Sequence, residues 1–415
     1  MGQVVSEIGD HFNNIAVFGL VLAQTHSGLV VTGVMLARGV SAVLAGPVAG
    51  VLLDRMNRKQ IMITSDLVRA LIAIGFIFTV DSPKTWLMYL LSSLLMFASP
   101  FFTSGRSAIL PSIVRGEELH SANALSQTTQ WVTLTLGALS AGGAVAHFGY
   151  KGAFLVNAAS FIFSAWSISR LDLPPRAPRK IPEPLTETRV VRPWTEYVDG
   201  LRYMRSNPLV LGIALVGVGW ATGGGAAQIL FSLFGEIVFE RGASGIGTIW
   251  GFAGFGLLVG GTLAYWLGTR LSFDAYKWAI VVCYLVHGGA YVFFSQAESF
   301  AWALVFIAVS RAGVGVSSVL NFTQLLRRVP DELRGRVFST LESMVWSTMI
   351  FSMALTGLAS EYYSPRVIGV VSGILSSTTA LFWAWANLTG RLPRSERAGI
   401  DIEEVEIHGE PRFSG

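Results

Sequence analysis

The chain has 415 residues, of which 52% are hydrophobic and only 13% charged; soluble globular chains carry about 25% charged residues, so a soluble domain is excluded. The single cysteine, Cys283, rules out a disulfide framework and a zinc site built on several cysteines. The net charge of +4 is small, and its distribution along the chain says more than its sum.

A membrane helix needs ~20 mostly apolar residues. Such runs are predicted at 4–23, 29–53, 61–80, 85–104, 125–147, 152–169, 208–238, 245–268, 276–294, 299–323, 337–360 and 366–387. They are too long and too uniformly apolar for the strands of a membrane barrel. The expected fold is therefore an all-α integral membrane bundle of twelve helices. Its 45 glycines suit helices packed closely in lipid. The first run lacks a basic leader and a small-residue cleavage site, so no cleavable signal is predicted. It begins so near Met1 that a short lead-in upstream is expected.

The first run carries Glu7 and Asp10, three apart and so on one helix face, which Asn13 and Asn14 continue. The second carries Arg38 well away from either end. A rise of ~1.5 Å per residue puts Asp10 and Arg38 within about 10 Å in depth. Charges inside membrane helices are expensive and often functional. An acid whose water access and distance from an arginine both change between two conformations takes up and releases a proton. Asp10 is the candidate proton carrier, with Glu7 and Arg38 beside it. Glu7 as an interfacial acid near a helix N-terminus, and Arg38 as a structural partner, are the competing readings.

The second run ends in "GPVAGVLLDRMNRKQ" (46–60). Gly46, Ala49 and Gly50 allow close approach of a neighbouring helix. Asp54 stands at a helix C-terminus, where its own macrodipole disfavours it. It needs an arginine or the N-terminus of another helix, and the stretch from Gly335 to Phe338 is the place expected to supply one. Arg55, Arg58 and Lys59 follow. Asp66 and Arg69, three apart in the third run, are read with Asp54 and Arg106 as an inner gate; a local pair within the helix is the alternative. Glu342 either lines a cavity or binds a gating arginine. Arg311, deep in its run, is either a substrate-anion contact or structural. His147 and His287 are expected as interfacial histidines. No His, Cys or acid cluster has metal-ligand spacing, so no metal site is expected.

The connection at about 171–207 is rich in Pro and Arg ("LPPRAPRKIPEP"), and its end, "WTEYVDGLRYMRSNP", is amphipathic and expected on the membrane surface. It separates a first half (1–170) from a second (208–388), followed by a tail (389–415). "RGEELHSANALS" and "VPDELRGRVFST" occupy equivalent places in the halves, with Glu118-Leu119 matching Glu332-Leu333 at a shift of 214 residues. Two six-helix halves in parallel repeat are the arrangement of a rocking transporter. Lys and Arg alternate by loop: one set holds only Lys84, Lys151, Arg241 and Arg366, while the other holds most of the rest. The positive-inside rule then places both termini in the cytoplasm of a cell-membrane protein. The positive charge faces headgroups, so no nucleic-acid partner is inferred.

"GVLLDRMNRK" resembles the signature loop of the major facilitator superfamily, Gly-x-x-x-Asp-Arg-x-Gly-Arg-Arg/Lys, through Gly50, Asp54, Arg55, Arg58 and Lys59. Asn57 stands where that pattern has Gly; Asn tolerates the left-handed conformation, which would preserve the turn. The second half has Gly268 at the place of Asp54. "GQVVSEIGDHFNNIA", "ARGVSAVLAGPVAGVLLDR", "SDLVRA", "SGRSAILPSIVRGEELHSANALSQ" and "RVPDELRGRVFS" are similar to the branch holding macrolide-efflux proteins and the enterobactin exporter. The resemblance implies export of amphiphilic small molecules coupled to proton influx, with no cofactor beyond the proton motive force, by a monomer. It also implies that Trp131, Trp220, Phe231, Phe234 and Trp346 lie on cavity-lining helices. Aromatic groups there suit a lipophilic or cationic guest, and Gln127, Gln130 and Gln228 offer hydrogen bonds.

No catalytic constellation is visible, and no Gly-Lys-Ser/Thr loop cradles a phosphate. "GWATGGGAAQ" (219–228) lies inside a membrane run and reads as a closely packed helix. An enzyme is not expected. A lipid or lysolipid flippase of the same fold, or a polytopic receptor, are the remaining readings.

Overall fold

A computed structural model describes residues 2–82, 84–113, 119–170 and 193–393; side chains are described except at 2, 3, 54, 107–113, 119–128, 193, 194, 331 and 332. Most of the connection between the halves, the tail from 394 and Glu118 of the repeat match therefore lie outside the described residues, as do the side chains of Asp54, Gln127 and Glu332.

The described elements are helical: α1 (Gly2–Thr25), α2 (Gly28–Arg55), α3 (Arg58–Gly75), the single turn α4 (Ile77–Val80), α5 (Thr85–Ile113), α6 (Leu119–Ser169), α7 (Pro193–Ser206), α8 (Pro208–Leu233), α9 (Gly242–Gly268), α10 (Phe273–Gln296), α11 (Phe300–Arg328), α12 (Asp331–Ala359) and α13 (Pro365–Leu388). A π-helical turn, Phe234–Val238, continues α8. Ten helices are long and apolar enough to cross a membrane. One of these stretches, Thr129–Ser169, has 41 residues, twice the ~20 a crossing needs. Gly149, at φ 68, breaks it into two crossings, a conformation open to glycine at little cost. The polar face of α1 dilutes its hydropathy, yet its 24 residues suffice for a span. Twelve spans result.

Short polar side chains start the helices where apolar runs begin. Ser27 accepts from the Val30 amide, Ser272 from Ala275, Ser299 from Trp302 and Ser364 from Val367. Each satisfies an amide that the helix leaves unpaired. Asn57 does the same for α3, accepting from the amides of Lys59 and Gln60 at 3.0 and 3.4 Å. Its φ of −69 is extended rather than left-handed. The asparagine is there as a cap, which corrects the conformation expected from its place in the loop.

In the first half α6 packs on α1 and α3, and α5 on α2 and α3; in the second α9 packs on α11, α10 on α13 and α11, and α8 on α12 and α13. The two main seams between the halves are α6 with α9 and α2 with α12, and α1 adds contacts to α9. Along the first, a Cβ at Gly247 would stand 2.5 Å from the Ala138 carbonyl oxygen, one at Gly254 2.6 Å from Thr135 Oγ1, and one at Gly261 2.5 Å from the Trp131 ring. Glycine is what lets these backbones meet. The second seam is closed only at one end. There Gly357 lies on Thr32, Gly28 on Ser360, and Ser27 Oγ donates to Glu361 Oε1 at 2.8 Å. Toward the other end, which carries Arg55 to Lys59 and is called here the basic end, the helices part. No described atom beyond the helix itself lies within 4 Å of a Cβ built at Gly39, Gly46, Gly50 or Gly335. Gly46 and Gly50 thus do not bring α2 against a neighbour in this conformation, contrary to expectation.

α7 is fastened to the second half. Arg336 Nη1 donates to Asp199 Oδ2 at 3.3 Å, Tyr203 Oη to the Arg328 carbonyl at 2.7 Å, and Thr340 Oγ1 to the Tyr197 carbonyl at 3.4 Å.

Candidate transport site

Among the described residues two groups of buried charge stand out, one in each half. In the first half α1 supplies the polar face. Glu7 accepts from Arg106 Nη1 on α5 at 2.9 Å and from Thr133 Oγ1 on α6 at 3.1 Å, so one carboxylate ties three helices. One turn on, Asp10 lies 3.9 Å from Arg69 Nη1 of α3. Arg69 is already bonded to Asp66, and both are buried. The Arg69 guanidinium also lies 4.7 Å from the Phe102 ring centroid and 4.3 Å from that of Phe161. Asp10 is the loosely held member: its Oδ1 has no hydrogen-bond partner, and its side chain is 31% exposed. Arg38 of α2 donates to Asn14, one turn beyond Asp10, and lies 5.7 Å from the Phe18 ring centroid. Asn13 is fully buried with neither amide atom bonded. Two carboxylates, Asp10 and Asp66, thus share a site with two guanidiniums, Arg38 and Arg69. The group is neutral when both acids are ionised and gains one positive charge when Asp10 takes a proton.

In the second half Lys277 is held by Asp274 and the Pro393 carbonyl, and the buried charge without such a partner among the described residues is Arg311. Arg311 is near the middle of the 29-residue α11 and is 7% exposed. It makes no ion pair or hydrogen bond with any described side chain or backbone group. Its guanidinium lies 5.1 Å from the Phe231 ring centroid, a contact worth about 0.5–2 kcal/mol. Placing an arginine at the centre of a membrane helix costs about 2.5–3.5 kcal/mol on insertion scales, so the ring offsets only part. Around Phe231 stand Trp250 at 5.0 Å, Phe294 at 5.9 Å and Tyr291 at 6.5 Å between ring centroids. The Tyr291 hydroxyl, the Trp250 indole nitrogen and Arg311 Nε are buried without a partner. His287, expected at an interface, is instead 3% exposed inside this half, its Nδ1 2.8 Å from Ser310 Oγ. Contact with α11 draws it in.

The remaining site residues fall outside these groups. Arg55 is exposed, Lys59 Nζ donates to the Ser169 carbonyl at 2.8 Å, and Arg58 is half-buried. Arg106 is brought to Glu7, and Asp66 and Arg69 to Asp10; their relation to Asp54 lies outside the described side chains. Gln130 is exposed, and Trp131 packs against Gly261 of α9. Trp220 is half-buried beside Gly224 with its indole nitrogen unpartnered, and Gln228 is half-buried. Phe231 and Phe234 show no exposed surface, while Glu342 and Trp346 are exposed on the diverging part of α12. Thr133, Trp250, Tyr291 and Glu361 belong to the site or its closed end without having been singled out by sequence. A hydroxyl or ring inside an apolar run looks like packing until its neighbour is known.

A bundle of two six-helix halves, with α2 and α12 packed together at one end and a group of buried charge in each half, has the architecture of a membrane transporter. The Major Facilitator Superfamily pattern matches residues 3–349. The chain belongs to that superfamily, and it is not an enzyme. It is 26% identical over 394 residues to the uncharacterized MFS-type transporter YfiS of Bacillus subtilis (strain 168), covering 90% of this chain and 88% of the relative. It is 22% identical to the putative bacilysin exporter BacE of the same strain (91% and 92% covered). It is 26% identical to the enterobactin exporter EntS of Salmonella choleraesuis (strain SC-B67), with 79% and 76% covered. Among solved structures, a bacterial homologue of the iron transporter ferroportin in an inward-facing state superimposes with a TM-score of 0.66 at 18% identity, over 92% of this chain and 96% of that one.

Proposed function

We propose that this transporter is a proton-driven exporter of amphiphilic small molecules. It works as a monomer by alternating access in the cell membrane, with both termini in the cytoplasm and the proton motive force as its only energy source. The basic end is then the cytoplasmic end, and the open α2–α12 seam is the inward-facing state. The observation that carries the reading is the loose tether of Asp10, 3.9 Å from an arginine already bonded to another acid, with one oxygen unpartnered. A carboxylate held this way gains or loses a proton without dismantling the Asp66–Arg69 pair that supports it. Asn14 and Arg38 stand one turn away on the path along α1. Glu7, tied to two other helices, holds α1, α5 and α6 together and is the second acid available to couple. Exporter-named relatives support the direction of transport.

Accumulation of lipophilic dyes and macrolides in pump-depleted bacterial cells tests this. The wild type should lower accumulation, an uncoupler should abolish the effect, and Asp10→Asn should behave like the uncoupler. Efflux that survives Asp10→Asn would remove Asp10 from the coupling role.

A further inference from the structure

Arg311 requires an explanation that the packing does not provide. Its guanidinium is buried in the second half and makes no ion pair or hydrogen bond with any described residue. Two groups able to donate are free nearby: the Tyr291 hydroxyl, which can also accept, and the Trp250 indole nitrogen are buried and unpartnered, and both rings flank Phe231, the ring Arg311 lies against. His287, the other polar neighbour on α10, is occupied by Ser310. A buried cation set among unsatisfied donors and aromatic faces is complementary to one kind of guest, an anion attached to an apolar or aromatic body. The charge favours a single oxyanion, the planar guanidinium favours a carboxylate held by two parallel hydrogen bonds, and the rings take what the carboxylate is attached to.

We propose that Arg311 is the cargo's anion site, so that the transported molecules carry a carboxylate beside an aromatic or apolar body, with Tyr291 and Trp250 donating to the same group. This rests on the exporter reading and narrows its cargo from amphiphiles in general to amphiphilic acids and zwitterions. The division of labour follows: the proton is handled by Asp10 in the first half and the anion by Arg311 in the second.

The test is binding to purified protein in phosphatidylcholine nanodiscs, read by quenching of intrinsic tryptophan fluorescence. The probes are 1-naphthylacetate and its neutral amide, which differ only in the charged group. The wild type should bind the acid at least about tenfold more tightly than the amide. Arg311→Gln should erase that preference and leave amide binding in place, while Arg311→Lys, a point charge without the fork, should keep part of it. Equal binding of acid and amide by the wild type, or a preference that persists in well-folded Arg311→Gln, overturns the proposal. If Arg311→Gln does not fold, Tyr291→Phe and Trp250→Phe decide: each should weaken the acid and spare the amide, and no effect from either overturns it. A preference abolished by replacing part of the phosphatidylcholine with phosphatidylglycerol would assign the site to a lipid headgroup and overturn the cargo role. Dye efflux in cells separates the two readings. Uncoupler-sensitive efflux without an acid preference sinks this proposal alone, and an acid preference without efflux sinks the exporter reading alone.

Discussion

Arg69 and Arg311 are the same side chain, buried in both halves of one bundle, and they are partnered in opposite ways. Arg69 is bonded to Asp66, lies within ion-pair range of Asp10 and is sandwiched by two phenylalanine rings. Arg311 has one ring and no acid among the described residues. A buried charge that is fully paired belongs to the scaffold, because its partner is left stranded when it is removed. A buried charge without a partner is an unfinished interaction, and what completes it comes from outside the chain. The comparison teaches that burial alone does not separate structural from functional charge; the inventory of partners does.

The contrast can be broken at its strongest point first. Arg69→Gln leaves Asp66 uncompensated, and a loss of about 3–5 kcal/mol is expected in thermal or denaturant unfolding of the purified protein. Adding Asp66→Asn should recover most of it. Supplying Arg311 with an acid at the spacing of Asp66 and Arg69, through Ala308→Asp, should reduce the acid-over-amide binding preference about tenfold, equivalent to about 1.4 kcal/mol. Asp10→Asn should cost less than about 1 kcal/mol of stability, since its pair is long and partly solvated, while uncoupler-sensitive efflux falls to background. Smallest of all, Arg311→Gln should leave the unfolding free energy within about 1 kcal/mol of wild type, because the charge it deletes has no partner to strand. A loss there as large as that of Arg69→Gln would make Arg311 structural and erase the contrast.

Hydropathy and helix punctuation made the bundle legible from sequence. Twenty-residue apolar runs separated by Ser, Asn or Pro allow little else in a membrane. Asp66 and Arg69 were legible as a pair because they are one turn apart. That Asp10 lies at their open side was not, since α1 and α3 meet only through tertiary packing. His287 and Arg311 were legible as charges in apolar runs, but not as neighbours, and nothing in an isolated run tells a partnered charge from an unpartnered one. Gly46 and Gly50 show a further limit. A stripe of small residues records that close packing is allowed, not in which conformation it occurs: Ala49 is buried, while Gly46 and Gly50 meet no described neighbour and α12 is met at the Gly28 end of α2.

The two seams between the halves are unequal. α6 and α9 remain in contact from Gly142 to Gly261, while α2 and α12 touch at Thr32 and Gly357 and then part. A bundle that opened along the α2–α12 edge, like a book with one spine, would turn the gap between its free edges toward the bilayer as well as the water. A molecule dissolved in the adjoining leaflet would then have a sideways route to the interior. The concentration that loads the transporter is then the concentration in the membrane, so half-saturation measured against aqueous cargo should fall in proportion as the cargo's lipid–water partition coefficient rises. Two acids that bind equally well in detergent but partition differently would show it, and identical aqueous half-saturation for both would confine entry to the water-filled end.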